Sequence, residues 1–401
     1  MSRRLAAVAV AACIAAEGVW LALLAARHEP LDLRIYSWGG HAVRHDAALY
    51  QLRAFGHWFT YPPFAAVSFI PVAALPSRVA QVLWLLASLA ALGYLCRALL
   101  QLARLTASWS AVATAMAATL ALEPVRHTFA LGQVNLLLMA LVVWDVRRTA
   151  AGKPAGVGVG IATAVKLTPA VFIVVLVASR RWRSAAIAVA TFLTATAVGW
   201  LVAPAASSRY WLHLFFDTGR VGAPYISNQS PYGAAARLLG GVGHVGGWWT
   251  VVAAVFAAVG VATAAVFARR DDWLAAIAAT GITSLLVSPI SWTHHWVWAV
   301  PALLVLIRSG GRGERTGAAV GYLLFVVGPM WFTPHHGGPS EYGFHGVVSL
   351  VANSYLVAAL ALLAYLARGA MHARSDGGPA SATGAGRSRL VGSGAECAVP
   401  M

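Results

Sequence analysis

Charge is what this sequence has least of. Asp, Glu, Lys and Arg together make up 10% of its 401 residues, against roughly 25% in a soluble domain. So few charges cannot cover a water-facing surface. They also exclude disorder for most of the chain, because a disordered segment needs high charge and low hydrophobicity. Cysteine is nearly absent: Cys13, Cys96 and Cys397 are too few and too scattered for a disulfide scaffold. Lysine occurs only at Lys153 and Lys166. What fills the chain is apolar, with 59% hydrophobic residues before 38 glycines are counted. That is the composition of a polytopic membrane protein. The net charge of +16 comes with no basic face or nucleic-acid motif. That absence argues against nucleic acid as a partner, and the charge reads as the basic loops that orient membrane proteins.

Apolar runs divided by basic turns predict an all-α polytopic fold. The run Leu5–Ala26 is long enough to span and is read as an uncleaved helix rather than a signal peptide. A first outer loop, 27–61, leads to a short apolar piece, Pro62–Leu75, which the parity of the basic loops places in the outer leaflet. Val79–Leu100 spans. Two short pairs follow: Ala111–Leu122 with Gly132–Val146, and Gly156–Ala164 with Leu167–Ser179. If each pair dips and returns, the clusters at Arg147-Arg148, Lys153 and Arg180-Arg181 stay on one side. If the second pair were one straight span, Lys166 would lie deep in lipid. Ala185–Val202, a second long outer loop at 203–247, Trp248–Ala268, Trp273–Pro289, Trp296–Ile307, Thr316–Phe332 and Gly346–Ala367 complete about twelve crossings. Of the 29 Lys and Arg, 19 fall on one side, which the positive-inside rule makes cytoplasmic. Twelve of the 13 His fall on the other, so the chemistry is expected there. A transmembrane domain is expected over 1–375. The Gly/Ser/Ala-rich segment 376–401 reads as a disordered cytoplasmic tail.

The first outer loop is the most informative segment. Asp32 sits just past the first helix among aromatics, a placement that suits a general base acting on a sugar hydroxyl. The plain alternative is a solvated acid offsetting Arg34. Glu29, Asp46, Glu123, Asp217 and Glu341 are its competitors, Asp46 the best of them. Thr60-Tyr61-Pro-Pro-Phe64 is stiff, with two prolines that fix the chain where it returns to the membrane. His294 and His295 lie among Trp292, Trp296 and Trp298. Adjacent residues do not share a helix face, and no Cys or acid completes a ligand set, so no metal is expected there. Contact with phosphate or sugar fits better. Trp at such a position is otherwise an interface belt. Lys166, ionisable within an apolar run, asks for a partner bearing phosphate, unless it snorkels to the surface. Gln133 and Asn135 place two amides at a helix start near Arg126 and His127. The loop Tyr225-Ile-Ser-Asn228-Gln-Ser-Pro-Tyr-Gly233 is polar and aromatic enough for a sugar.

These residues resemble a known family. Asp32-Leu-Arg-Ile-Tyr36, Tyr50 and Phe59-Thr-Tyr-Pro-Pro-Phe64 are similar to the first-loop signature of actinobacterial glycosyltransferase family 87. So are Gly132-Gln-Val-Asn135, Lys166-Leu-Thr-Pro169, Asn228-Gln-Ser230 and Ser288-Pro-Ile-Ser-Trp292 with His294-His295-Trp296, all in the same order. The resemblance implies a GT-C-type glycosyltransferase with long extracytoplasmic loops in the plasma membrane, its active site facing outward. It implies transfer of mannose from polyprenyl-phosphate-mannose to a cell-envelope glycolipid or lipoglycan, such as a phosphatidylinositol mannoside or lipomannan. The linkage is α-(1→2), made by inverting displacement. Under it Asp32 is the base. Lys166, His294 or His295, and Arg126 hold the donor phosphate. Gln133, Asn135, Tyr61 and Asn228 position sugar or phosphate. No metal or other cofactor is implied, because protein cations can stabilise a monophosphate. Mannose itself rests only on the resemblance, so another lipid-linked sugar such as arabinose stays open. A transporter is the reading from another class. It is disfavoured by polar groups gathered at one face and by the lack of a repeat between halves.

Overall fold

In a computed structural model the described residues are 3–27, 29–45, 48–215, 217, 219–335 and 338–375. Asp46 and the expected tail at 376–401 lie outside them. The chain opens with α1 (Arg3–Arg27), then α2 (Leu31–Arg44) directly after an extended Pro30. The expected outer loop therefore carries a 14-residue helix. Its polar residues concealed a buried stripe of Leu33, Ile35, Tyr36, Gly39, Gly40 and Ala42. A two-stranded hairpin follows, β1 (Arg53–Ala54) pairing antiparallel with β2 (His57–Trp58). Its turn residues Phe55 and Gly56 both have positive φ, 53° and 81°, as a tight two-residue hairpin requires. The Arg34 guanidinium lies 3.9 Å over the Phe55 ring and ties this turn to α2.

The segment after the double proline forms α3 (Pro63–Ser68) and α4 (Ile70–Ala73). Six and four helical residues rise about 15 Å, half the apolar thickness of a bilayer. Both pack on α2. They approach so closely that a Cβ on Gly40 would lie 2.6 Å from the Phe69 carbonyl oxygen. Next come α5 (Ser77–Leu102), α6 (Trp109–Leu120), α7 (Glu123–Leu131) and α8 (Asn135–Ala150). Gly132, with φ 67°, ends α7 in the left-handed conformation, and α8 leaves at 116° to it. α9 (Val157–Val165) and α10 (Ala170–Ala178) are separated by Lys166-Leu-Thr-Pro169, so Lys166 stands at a break between two nine-residue helices.

α11 (Trp182–Val202) lies on α9. The segment beyond it carries α12 (Pro204–Arg209) and α13 (Pro231–Leu239). α14 (Trp248–Arg269) packs against α15 (Trp273–Val287), which is buried on every side from Trp273 to Leu286 and forms the centre of the core. A short 3-10 stretch, Thr293–Trp298, precedes α16 (Ala299–Ser309). α17 (Arg312–Val327), α18 (Gly346–Ala352) and α19 (Ser354–Ser375) close the chain. Among the described residues four helices are long and apolar enough to cross a membrane: α5, α11, α14 and the Ser354–His372 part of α19. The bent α7–α8 pair makes a fifth if it counts as one span.

Gly132 is the joint on which the site turns. A Cβ there would lie 2.9 Å from the Cβ atoms of both Pro30 and Leu33, beside Asp32. Gly132→Ala adds a left-handed cost of about 1–2 kcal/mol to that clash. A lower unfolding temperature in detergent, together with reduced turnover, is the expected outcome. An unchanged melting curve would show that the turn relaxes freely.

Candidate active site

A cavity of about 760 Å³ opens between α2, the hairpin, the α7–α8 turn, the α9–α10 break and the Thr293–Trp298 stretch. It brings together Asp32, Tyr61, Gln133, Lys166, His294 and His295 from five separate regions of the chain.

Asp32 reaches the cavity from the first turn of α2. Its Oδ2 accepts a hydrogen bond from Gln133 Nε2 at 2.6 Å. Gln133 is oriented from its other end, because its Oε1 accepts the hydroxyls of Tyr36 (2.8 Å) and Tyr61 (3.2 Å). The Tyr50 hydroxyl in turn donates to the Tyr61 carbonyl at 2.7 Å. Burial raises the Asp32 carboxyl above the ordinary carboxylate range, and the bond from Gln133 and the Lys166 charge pull partly the other way. Burial, with Asp32 nearby, also pushes the Tyr61 hydroxyl up, so it remains a donor.

Lys166 is held from two sides. Its Nζ donates to Asn135 Oδ1 at 2.9 Å and lies 2.8 Å from His295 Nε2. It also stands 5.6 Å over the Tyr61 ring. Asn135 does not itself line the cavity. Its Nδ2 donates to the His294 carbonyl at 2.7 Å, which Thr128 Oγ1 also reaches at 3.2 Å. The α8 start is thereby fastened to the His-His stretch. Both ring nitrogens of His294 are buried without a hydrogen-bond partner. A buried polar atom left so is costly unless something else meets it. His127 joins from α7: its ring is edge-on to His294 at 5.4 Å, and its Nδ1 lies 2.8 Å from Thr293 Oγ1 and 3.3 Å from Glu123 Oε1.

Two expected site residues do not join this group. Arg126 is exposed and donates to the Val326 carbonyl at 2.9 Å, turned toward α17. Asn228 is fully buried, and its amide is consumed within the fold. It donates to the carbonyls of Ala223 and Pro289 and accepts from the backbone of Ser230 and Ser291. These bonds hold its loop to the 289–292 segment, while Tyr225 and Ser227 of the same loop line the cavity. The tryptophans also divide: Trp292 lines the cavity, whereas Trp296 is wholly buried and packs against Phe325 and Tyr355. Lining groups that the sequence analysis did not single out include His57, Trp58, Arg220 and Trp331. Among the described residues no cluster of three or more His, Cys, Asp or Glu is arranged to hold a metal ion. Asn228→Ala leaves buried N–H and C=O groups unpaired at about 1–3 kcal/mol each. It should lower the melting temperature and leave the KM of the surviving enzyme unchanged. A raised KM at unaltered stability would instead make Asn228 a substrate ligand.

Comparison with known proteins bears on this cavity. Residues 59–289 match glycosyltransferase family 87. A Mycobacterium tuberculosis (strain CDC 1551 / Oshkosh) protein is 37% identical over 86% of this chain and 82% of its own length. It is named polyprenol-phosphate-mannose-dependent alpha-(1-2)-phosphatidylinositol pentamannoside mannosyltransferase. A Mycolicibacterium smegmatis protein of the same name is 33% identical over 91% of this chain and 92% of its own length. A second M. tuberculosis protein (strain H37Rv), named as the corresponding phosphatidylinositol mannoside mannosyltransferase, is 34% identical over 76% of this chain and 77% of its own. No solved structure matches. With more than half of the chain in the family match and relatives aligned over most of their length, this membrane protein belongs to glycosyltransferase family 87.

Proposed function

We propose that this chain is a polyprenyl-phosphate-mannose-dependent α-(1→2)-mannosyltransferase that acts on a phosphatidylinositol mannoside at the outer face of the plasma membrane. The observation that carries this reading is one cavity holding a half-buried carboxylate, Asp32, and a half-buried amine, Lys166. The names of the relatives supply the sugar and its carrier. The transferase occupies 1–375 in about twelve crossings, the shorter helices meeting the bilayer in pairs.

An acceptor hydroxyl beside Asp32 Oδ loses its proton to the carboxylate as its oxygen attacks the anomeric carbon of β-mannosyl phosphate. The bond from that carbon to the phosphate oxygen breaks, and its electron pair leaves on the phosphate. Attack from the opposite face converts β to α. Charge builds on the phosphate as the sugar becomes oxocarbenium-like. Lys166 meets it: Asn135 and His295 take two of its three N–H bonds, which leaves the third for the leaving oxygen. His294 offers ring nitrogens in the same wall. Gln133 and Tyr61 hold Asp32 in place and present hydroxyl and amide groups to the sugars.

Membranes carrying the protein, supplied with labelled polyprenyl-phosphate-mannose and a mannosylated phosphatidylinositol, test this directly. Wild type should transfer label, and Asp32→Asn should lose about 10²–10⁴ of the rate at equal protein level. Transfer undiminished in the variant removes Asp32 from the base role. The pH profile gives a second check. Because burial raises the Asp32 pKa, the active carboxylate form dominates above that raised value and is lost as pH falls through it. The acid limb of kcat/KM should therefore lie above the about 3.9 of a free aspartate. A limb at or below that value would place the titrating group elsewhere.

A further inference from the structure

The hairpin carries a second cationic feature at the cavity margin. The Trp58 indole has two guanidiniums over it, Arg220 at 4.2 Å and Arg53 at 4.8 Å from the ring centre. All three residues line the cavity. Arg53 is exposed and Arg220 half-buried, so the feature faces the wet end of the cavity. Arg220 is fixed by donation from Nη2 to the Tyr50 carbonyl. Tyr50 is tied through Tyr61 to the Asp32–Gln133 wall. Two like charges on one ring repel each other, and Arg209 adds to the repulsion felt by Arg220. Among the described residues the acid that offsets Arg220 is Asp217, whose Oδ1 already accepts from the Gly219 backbone. Glu29 is engaged by Arg34 at 3.0 Å. The cluster thus keeps a net positive charge. Its guanidinium forks suit a phosphate better than a point charge would.

We propose that Arg53 and Arg220, set on Trp58, bind the phosphodiester anion of the glycolipid acceptor. This rests on the reading of the cavity as a mannosyltransferase site. In a phosphatidylinositol mannoside the attacked hydroxyl sits on a mannose and the phosphate on the inositol. At least those two rings separate them. An acceptor with its hydroxyl at Asp32 must therefore place its phosphate away from the reacting carbon but on the same side of the cavity. The hairpin is on that side: its turn is stacked on Arg34 of α2, and the His57 charge is felt at Asp32. The donor phosphate belongs to the separate Lys166–His295 group. The Trp58 face also gives the sugar rings between the two points an apolar surface to lie on.

The test compares Arg53→Gln, Arg220→Lys and the double variant in neutral detergent. Two acceptors are used, a phosphatidylinositol mannoside and an alkyl mannoside without phosphate. Acceptor KM for the phosphate-bearing substrate should rise roughly tenfold or more in the double variant. Donor KM, and kcat/KM for the alkyl mannoside, should stay at the wild-type value. The phosphate-bearing acceptor's KM should also rise with salt in wild type and lose most of that dependence in the double variant. An equal loss on both acceptors would mean that the arginines only hold the hairpin, and a rise in donor KM would assign them to the donor; either overturns the proposal. So does an unchanged acceptor KM in detergent with activity lost only on phosphatidylglycerol-containing vesicles, since the pair then serves the membrane surface. Wild type that transfers mannose to neither acceptor would contradict the mannosyltransferase reading itself and is thereby distinguished from these results.

Discussion

A carboxylate placed in a mostly apolar wall stays useful only if its oxygen has a donor and its charge has a partner. The bond from Gln133 to Asp32 supplies the donor, across 101 residues of sequence. Much of the local architecture makes that one contact repeatable. Pro30 and Leu33 press against Gly132, the left-handed turn aims Gln133 back at α2, and two tyrosine hydroxyls lock the amide so that its nitrogen faces the acid. The hairpin and the Pro62–Pro63 bend keep Tyr61 in line.

The opposite wall follows the same physics with the sign reversed. Lys166 is tolerable inside the fold because the α9–α10 break exposes it to a polar niche. That niche is built from α8 through Asn135 and from the 293–298 stretch through His295. One carbonyl, that of His294, takes bonds from both Asn135 and Thr128 and so couples three elements. Glu123 extends the framework outward. Its oxygens receive Trp331 Nε1 at 3.0 Å and the Tyr355 hydroxyl at 2.8 Å, which binds α7 to the C-terminal helices. In a chain with few charges, several of the buried ones are spent in this way. Arg237, fully buried, donates to the carbonyls of Pro224, Tyr225 and Asn228 and to Asn353, and fastens the cavity-lining loop to the α18–α19 break. The positive margin at Arg53 and Arg220 differs: both line the cavity, and Arg220 is fixed to the frame only through the Tyr50 carbonyl.

Much of the helical order was legible along the chain. α5, α11 and α14 begin and end within a few residues of the apolar runs, because a membrane-facing helix is apolar all round and stops at its basic ends. The break at Lys166 was legible for a related reason: an ammonium in the middle of a straight span is too costly. The outer segments were not. α2 is amphipathic and partly polar, and its burial depends on two glycines meeting Phe59 and Phe69 from later in the chain. Nothing local marks that meeting.

The candidate residues divide in the same way. Asp32, Gln133, Lys166 and the two histidines could be picked out singly, since each is a polar or ionisable group next to an apolar run. The sequence by itself therefore determined the class of protein, the apolar spans and a short set of chemically equipped residues. Which of these face one another was decided only by tertiary structure. Asn228 and Arg126 carry side chains as suitable as the rest, yet one is consumed by backbone hydrogen bonds and the other turns outward. Arg220 and Trp58 look ordinary in sequence, yet they share a ring contact at the cavity mouth. Hydrogen-bond capacity and direction are properties of three-dimensional neighbours, and those are set by helix packing between segments a hundred residues or more apart.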